Sequence, residues 1–154
     1  MKHIRTFESI NSNSDIESII NMARDEGVVV NNTYISEYCT WITVYRYDLG
    51  ETETGPSDYA LDRKKEYLTD REIFMEQNNF CDLVDNMYQR LLLIDDRITL
   101  RCRYYTGNTN LNYVKTYVTK NMEVFKDVNT ITAAKPQKGA VDIISVEFDV
   151  PKLD

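Results

Sequence analysis

The sequence predicts an α+β domain: an antiparallel sheet of about five strands with two or three helices packed on one face. Three observations carry this. Two stretches place apolar residues three and four apart, each close to a Ser/Thr-x-x-Glu signature. Three others, 34–47, 97–119 and 140–150, are rich in Tyr, Thr, Ile and Val and hold runs of alternating apolar and polar residues. A helix followed by two strands is found twice, over 14–47 and 79–119. With a strand at the start, that order would be the ferredoxin-like βαββαβ, with extra strands at the end.

The 154 residues form one domain, 1–154, large enough to bury a sizeable core. Five glycines and three prolines exclude a collagen-like or Pro/Gly-rich disordered chain. The longest apolar run, Leu91 to Ile94, is far short of the ~20 residues that span a bilayer. Ile4, Phe7 and Ile10 are separated by polar residues, so the first residues lack a signal-peptide core.

Residues 1–13 are polar with scattered apolar positions, and are expected to be an N-terminal arm or a short strand. Ser14 and Glu17 form a capping box that opens a helix, with Ile16, Ile19, Ile20 and Ala23 as its apolar stripe. Gly27 suits the left-handed residue that ends it. Val28, Val29 and Val30 read as a short buried strand and Asn31-Asn32 as a turn. Tyr34 to Tyr47 is a long strand without Gly or Pro, with Cys39, Trp41, Tyr45 and Tyr47 on one face and Tyr38, Ile42 and Val44 on the other. Apolar groups on both faces place it centrally. Residues 48–58 are acidic, hold two glycines and a proline, and are expected to be a mobile surface loop.

Thr69 and Glu72 make a second capping box, followed by an apolar pattern through Ile73, Phe80, Val84, Met87, Leu91 and Ile94. Asn79, with Asp82 three residues on, offers a cap that would split this helix. Asp95-Asp96 closes it into a turn. Residues 97–119 then read as a β-hairpin with its loop at Thr106 to Asn110. Pairing Tyr105 with Leu111 sets Ile98 opposite Val118 and Cys102 opposite Val114, with the apolar pairs on one face. The other face then holds Arg103 beside Tyr113, Arg101 beside Lys115 and Thr99 beside Tyr117. Residues 121–134 are ambiguous between a short helix at Val124 to Val128 and a strand at Thr130 to Thr132. After a turn at Pro136 to Gly139, Ala140 to Val150 is a last strand, with Ile144, Val146, Phe148 and Val150 on one face, and Pro151 stops it.

Charge supplies the clearest functional pointer. The net charge is −7, which disfavours generic duplex nucleic-acid binding. From Arg97 to Met122, however, there are five basic residues and no acidic one, so the rest of the chain carries −12. The three cysteines, Cys39, Cys81 and Cys102, form no CxxC pair and fall in apolar stretches. That argues against a disulfide framework or zinc site and for a reducing, cytoplasmic setting.

The catalytic inventory is thin. The single histidine, His3, removes most histidine-dependent metal sites and triads. GxGxxG, GxxxxGK[ST] and GxSxG are absent. Asp82 and Asp85 share a helix side turned from the apolar stripe and read as solvated. No catalytic residue, metal ligand or cofactor is therefore assigned. The candidate binding residues are Arg97, Arg101, Arg103, Tyr113, Lys115 and Tyr117. Arginine forks and rigid tyrosine rings suit an acidic protein partner, a nucleotide or single-stranded nucleic acid. The competing expectation is that the arginines neutralise this chain's own acids, in the 48–58 loop or the helix, and that Arg–Tyr pairs stabilise the sheet.

The opening Met-Lys-His-Ile-Arg-Thr-Phe-Glu resembles the start of small accessory proteins of tailed bacteriophages, some of which begin with a short head-targeting segment. The resemblance implies a virus-encoded protein of the host cytoplasm or the particle. Such a segment would normally be followed by a Leu/Ile-x-Glu cleavage site, and no clear one comes directly after these residues. The expected function is a non-enzymatic interaction protein, binding a protein partner or further copies of itself, with no membrane. The alternative is a module or enzyme for a nucleotide or phosphorylated small molecule, gripped by the same arginines.

Overall fold

The computed structural model describes the backbone of residues 2–36, 39–47, 74–107, 112–130 and 138–151, with side chains over 14–31, 40–47, 74–107, 114–130 and 138–151. Residues 2–13 contain neither Gly nor Pro, and nothing in them breaks a helix. Helix α1 accordingly runs from Lys2–Asp25. The expected arm or strand is replaced by helix, and Ser14 and Glu17 lie inside it rather than at a cap. Ile16, Ile19, Ile20 and Ala23 are buried as the stripe requires. Gly27 sits just past the helix end at φ +98°, a conformation that penalises residues with a Cβ.

Strand β1 spans Val29–Ser36 and β2 Cys39–Tyr45, paired antiparallel. Asn31 and Asn32 are ladder residues, opposite Thr43 and Ile42, so the expected turn there is strand instead. The two-strand pairing also divides the long strand expected from Tyr34, since Tyr34 and Ser36 belong to β1. Helix α2, Gln77–Ile94, starts at Glu76, whose carboxylate accepts from the N–H of Asn78 (2.8 Å) and of Asn79 (3.2 Å). Glu76, not Asn79, is the cap, and α2 is not split. Phe80, Val84, Met87 and Leu91 along it are fully buried, each stabilising by about 1.5–3 kcal/mol relative to exposure. Asp95 ends the helix, its N–H donating to the Leu91 carbonyl. The acidic segment 48–58 and the Thr69/Glu72 box lie outside the described residues.

Strands β3, Thr99–Gly107, and β4, Asn112–Thr119, form the second hairpin. A single turn of 3₁₀ helix, η1, covers Glu123–Phe125, and β5 covers Val141–Pro151. Of the strand expected at Thr130 to Thr132, Thr130 is irregular and the rest lies outside the described residues. The sheet order is β1-β2-β5-β3-β4, with every pair antiparallel. The last strand thus enters between the two hairpins. A ferredoxin-like order needs a strand before α1; here the described chain runs α1-β1-β2-α2-β3-β4-η1-β5.

Both helices pack on one face of the sheet. Their buried stripes meet Val30, Ile42, Val44, Leu100, Cys102, Val146, Phe148 and Val150 in the main core. A smaller cluster of Tyr47, Tyr105, Ala140 and Ile144 lies apart from that core. Ile144 was expected with Val146, Phe148 and Val150. The ladder pairs Ile143 with Tyr104 but Ser145 with Arg103, leaving Ile144 as the extra residue of a β-bulge. The bulge resets the alternation and sends Ile144 to the other cluster.

The β3–β4 register also differs from expectation. Tyr105 pairs with Val114, Cys102 with Tyr117 and Arg101 with Val118, a slip of three positions. An odd slip exchanges the faces of β4. The reason is packing at both ends. Val114 reaches the Tyr47–Tyr105–Ile144 cluster, and the Tyr117 ring meets Phe125 edge-on at 6.0 Å. Among the described residues no helix is long and apolar enough to cross a membrane.

Candidate interaction surface

The side of the sheet opposite the helices can be built row by row from the ladders. One row runs Val29, Tyr45, Ser145, Arg103, Thr116 across the five strands. The next runs Asn31, Thr43, Glu147, Arg101, Val118. A third holds Trp41, Asp149 and Thr99. Arg101 and Arg103 therefore share a face with Trp41 and Tyr45 of the first hairpin, not with Lys115 and Tyr117 of their own.

Arg101 is held by its neighbours on β5. Its NH2 lies 2.7 Å from Glu147 Oε2 and 3.4 Å from Asp149 Oδ1, and its Nε 3.2 Å from Glu147 Oε2. Its guanidinium carbon stands 5.1 Å from the Trp41 ring centroid, reaching over β5 to β2. Two carboxylates around one guanidinium leave no positive charge to attract an anion. The expected neutralisation of an arginine within the chain is met for Arg101 by Glu147 and Asp149 of β5; the 48–58 segment lies outside the described residues. Arg103, one row away, lies within electrostatic reach of the Tyr45 hydroxyl. Burial pushes that hydroxyl's pKa up, against the opposing pull of a hydrogen bond with Asn31 and of the Arg103 charge. Arg97 stands apart at the α2–β3 turn, where its Nε and NH2 donate to Asp95 at 3.0 and 2.7 Å. That pairing holds the Asp95 carboxyl below the usual range.

Lys115 and Tyr117 occupy the other side of β4, opposite Tyr104 and Cys102. Tyr113 stands opposite Thr106 in the ladder. Tyr117 leans on Phe125 and is still 43% exposed; Val118, on the Arg101 side, is 66% exposed. Lys115 and Lys120 are exposed and carry no ion pair among the described residues. The six expected binding residues thus fall into three places: Arg97 at a turn, Arg101 and Arg103 on the open face, and Tyr113, Lys115 and Tyr117 on the outermost strand. Of the six, Lys115 is the exposed side chain that carries no ion pair among the described residues.

Several polar arrangements escaped the sequence reading. Arg46 is 3% exposed and donates from Nε to the Met75 carbonyl (3.0 Å) and from NH1 to Tyr47 Oη (3.0 Å) and the Ile143 carbonyl (3.3 Å). Tyr47 Oη in turn donates to Asp142 Oδ2 at 2.8 Å, and Arg46 faces Asp142 at 3.8 Å. Gln77, also buried, donates from Nε2 to the carbonyls of Phe125 and Val141 and accepts from the Ile143 N–H. These groups tie the chain before α2 to β5. Asp82 and Asp85 both hold Lys126, at 3.0 and 3.3 Å, and Asp85 accepts from the Met122 N–H. They clamp η1 to α2, a structural duty. The signal for such groups was weak, because each is an ordinary polar residue beside an apolar run.

An open depression of about 420 Å³ lies between α1 and α2, lined by Met22, Met75 and Leu83 with Glu26, Asn79 and Asp82. Among the described residues no buried polar group lines it. Among the described residues no three His, Cys, Asp or Glu side chains are grouped to hold a metal ion. The Cys81 thiol is pushed up to about 12 by burial, and Cys102 is raised for the same cause, so both stay protonated and unreactive near neutrality. No protein-family model, no curated protein and no solved structure matches the chain.

Proposed function

We propose that the chain is a non-enzymatic interaction protein that meets a partner protein through its β3–β4 hairpin, with β4 as the contacting strand. The observation that carries this is the run Lys115 to Val118, exposed throughout on a strand that has one neighbour among the described residues. An edge strand presents unpaired backbone donors and acceptors, and exposed Tyr and Val add area that desolvates at little cost. The phosphate-binding alternative loses its main support, because Arg101 is already held between Glu147 and Asp149. The resemblance of Met1 to Glu8 to phage accessory proteins suggests a viral setting for the same activity.

Site-specific photo-crosslinking tests the reading. A crosslinking residue in place of Val118 should give discrete adducts in cells. The same residue in place of Leu93, an apolar side chain 88% exposed at the end of α2, should give none. Equal labelling from both positions, or none from 118, would refute the assignment.

A further inference from the structure

We infer that the outer edge of β4 accepts an extended segment of the partner as a sixth strand, one whose residues alternate between carboxylates and β-branched or aromatic side chains. The inference rests on the hairpin being the interaction surface and gives its partner a chemistry.

The edge is built to be extended. Among the described residues β4 pairs only with β3, in an unbroken register from Leu100↔Thr119 to Gly107↔Asn112. In an antiparallel strand alternate residues turn both backbone groups outward, so an eight-residue edge offers several donor–acceptor pairs to a newcomer. Natural edges are usually blunted by proline, bulges or several charges. β4 has no proline, no bulge and a single charged residue, Lys115. The opposite edge differs: the β1 ladder shifts between Tyr34 and Ser36.

Side chains define what fits. The side of β4 shared with Arg101 carries Val114, Thr116 and Val118, and the other carries Lys115 and Tyr117. An added strand has the same period of two. Its residues beside Val114, Thr116 and Val118 would gain most from being β-branched or aromatic. Those beside Lys115 would gain most from a carboxylate, since Lys115 and Lys120 carry no ion pair among the described residues and 97–122 contains no acidic residue. A second copy of this chain fits less well, because its own β4 has no carboxylate to set beside Lys115. Strand addition of this kind draws affinity from the backbone and specificity from alternate side chains.

The test is selection from a displayed library of random ten-residue peptides against the full chain. Selected peptides should alternate Asp or Glu with Val, Ile, Thr, Tyr or Phe. Their binding should weaken at least tenfold in Lys115→Glu/Lys120→Glu and more mildly in Lys115→Ala, and should weaken as salt rises. Amide exchange should slow in 112–119. Circular dichroism and thermal melting confirm that each variant folds. Selected peptides without this alternation, or unaffected by the charge reversal, would overturn the inference. So would a dimer in solution that Val118→Asp dissociates. Peptides lost in Val118→Asp but kept in Lys115→Glu/Lys120→Glu would overturn the acidic partner while leaving the hairpin surface standing. No selected peptide together with no crosslink from position 118 would overturn both.

Discussion

The Arg46–Tyr47–Asp142 group shows what a buried charge requires. Arg46 and Asp142 are almost wholly out of solvent, at 4% and 0% side-chain exposure. Each guanidinium donor and carboxylate acceptor that folding strips of water must find a replacement, and here Tyr47 stands between them as donor to one and acceptor from the other. Removing one partner strands the other. Arg46→Met should therefore cost on the order of 3–5 kcal/mol in a urea titration. Tyr47→Phe, which deletes one hydroxyl, should cost about 1.5–3 kcal/mol. The double variant should cost less than the sum of the two, because the groups share one network. Additive losses would mean that the three residues act separately.

At the level of elements, α2 depends on a cap that composition rules rank low. Glu76 satisfies two of the four N–H groups left open at the helix start. Glu76→Ala should lower stability by about 1 kcal/mol, and Glu76→Asp should restore much of it, measured as a shift in the denaturant midpoint at constant slope. The same scale shows which elements the sequence made legible. Both apolar stripes, the Gly27 stop, the central placement of β2 and the second hairpin are local patterns, and all are present. The elements that differ were set by contacts distant in the chain. Residues 2–13 lack an apolar period, so only the absence of helix breakers marks them as helical. Strand pairing decided the register of β4, and one inserted residue in β5 decided the place of Ile144. A hairpin's alternation fixes which residues share a face within each strand. It does not fix which face of the partner they join, and the candidate site hung on that single bit.

Over the whole molecule, the open sheet face is polar yet nearly balanced, because it sets Arg101 and Arg103 of β3 near Glu147 and Asp149 of β5, with Arg101 bonded to both acids. Burial raises the pKa of the hydroxyls of Tyr45, Tyr47, Tyr88 and Tyr104 and of the thiols of Cys81 and Cys102. Each raised acid keeps its proton in the folded chain after the unfolded chain has lost its own. The folded state then binds more protons, so stability falls as pH rises. The contribution is intact below the ordinary thiol and tyrosine values and disappears as pH climbs from those values through the raised ones. Melting temperature should hold near neutrality and drop progressively above about pH 9, where free thiols and then phenols begin to ionise. Absorbance of ionised tyrosine should lag in the folded chain relative to the chain in denaturant. A melting temperature flat to pH 11 would show that these groups are hydrated.

The position of β5 bears on how the chain is made. A ribosome releases β1, β2, β3 and β4 before the strand that joins them. Each hairpin can form early, since its contacts are close in sequence, but until residues 141–151 emerge the inner edges of β2 and β3 have no common neighbour. Pairing β2 with β5 closes a loop of about a hundred residues, and such distant contacts place a chain among the slower folders, in milliseconds to seconds. During that interval the half-built sheet shows two unsatisfied inner edges to whatever is nearby, including other nascent chains. Synthesis of this protein therefore has a vulnerable stage that ends only when β5 emerges.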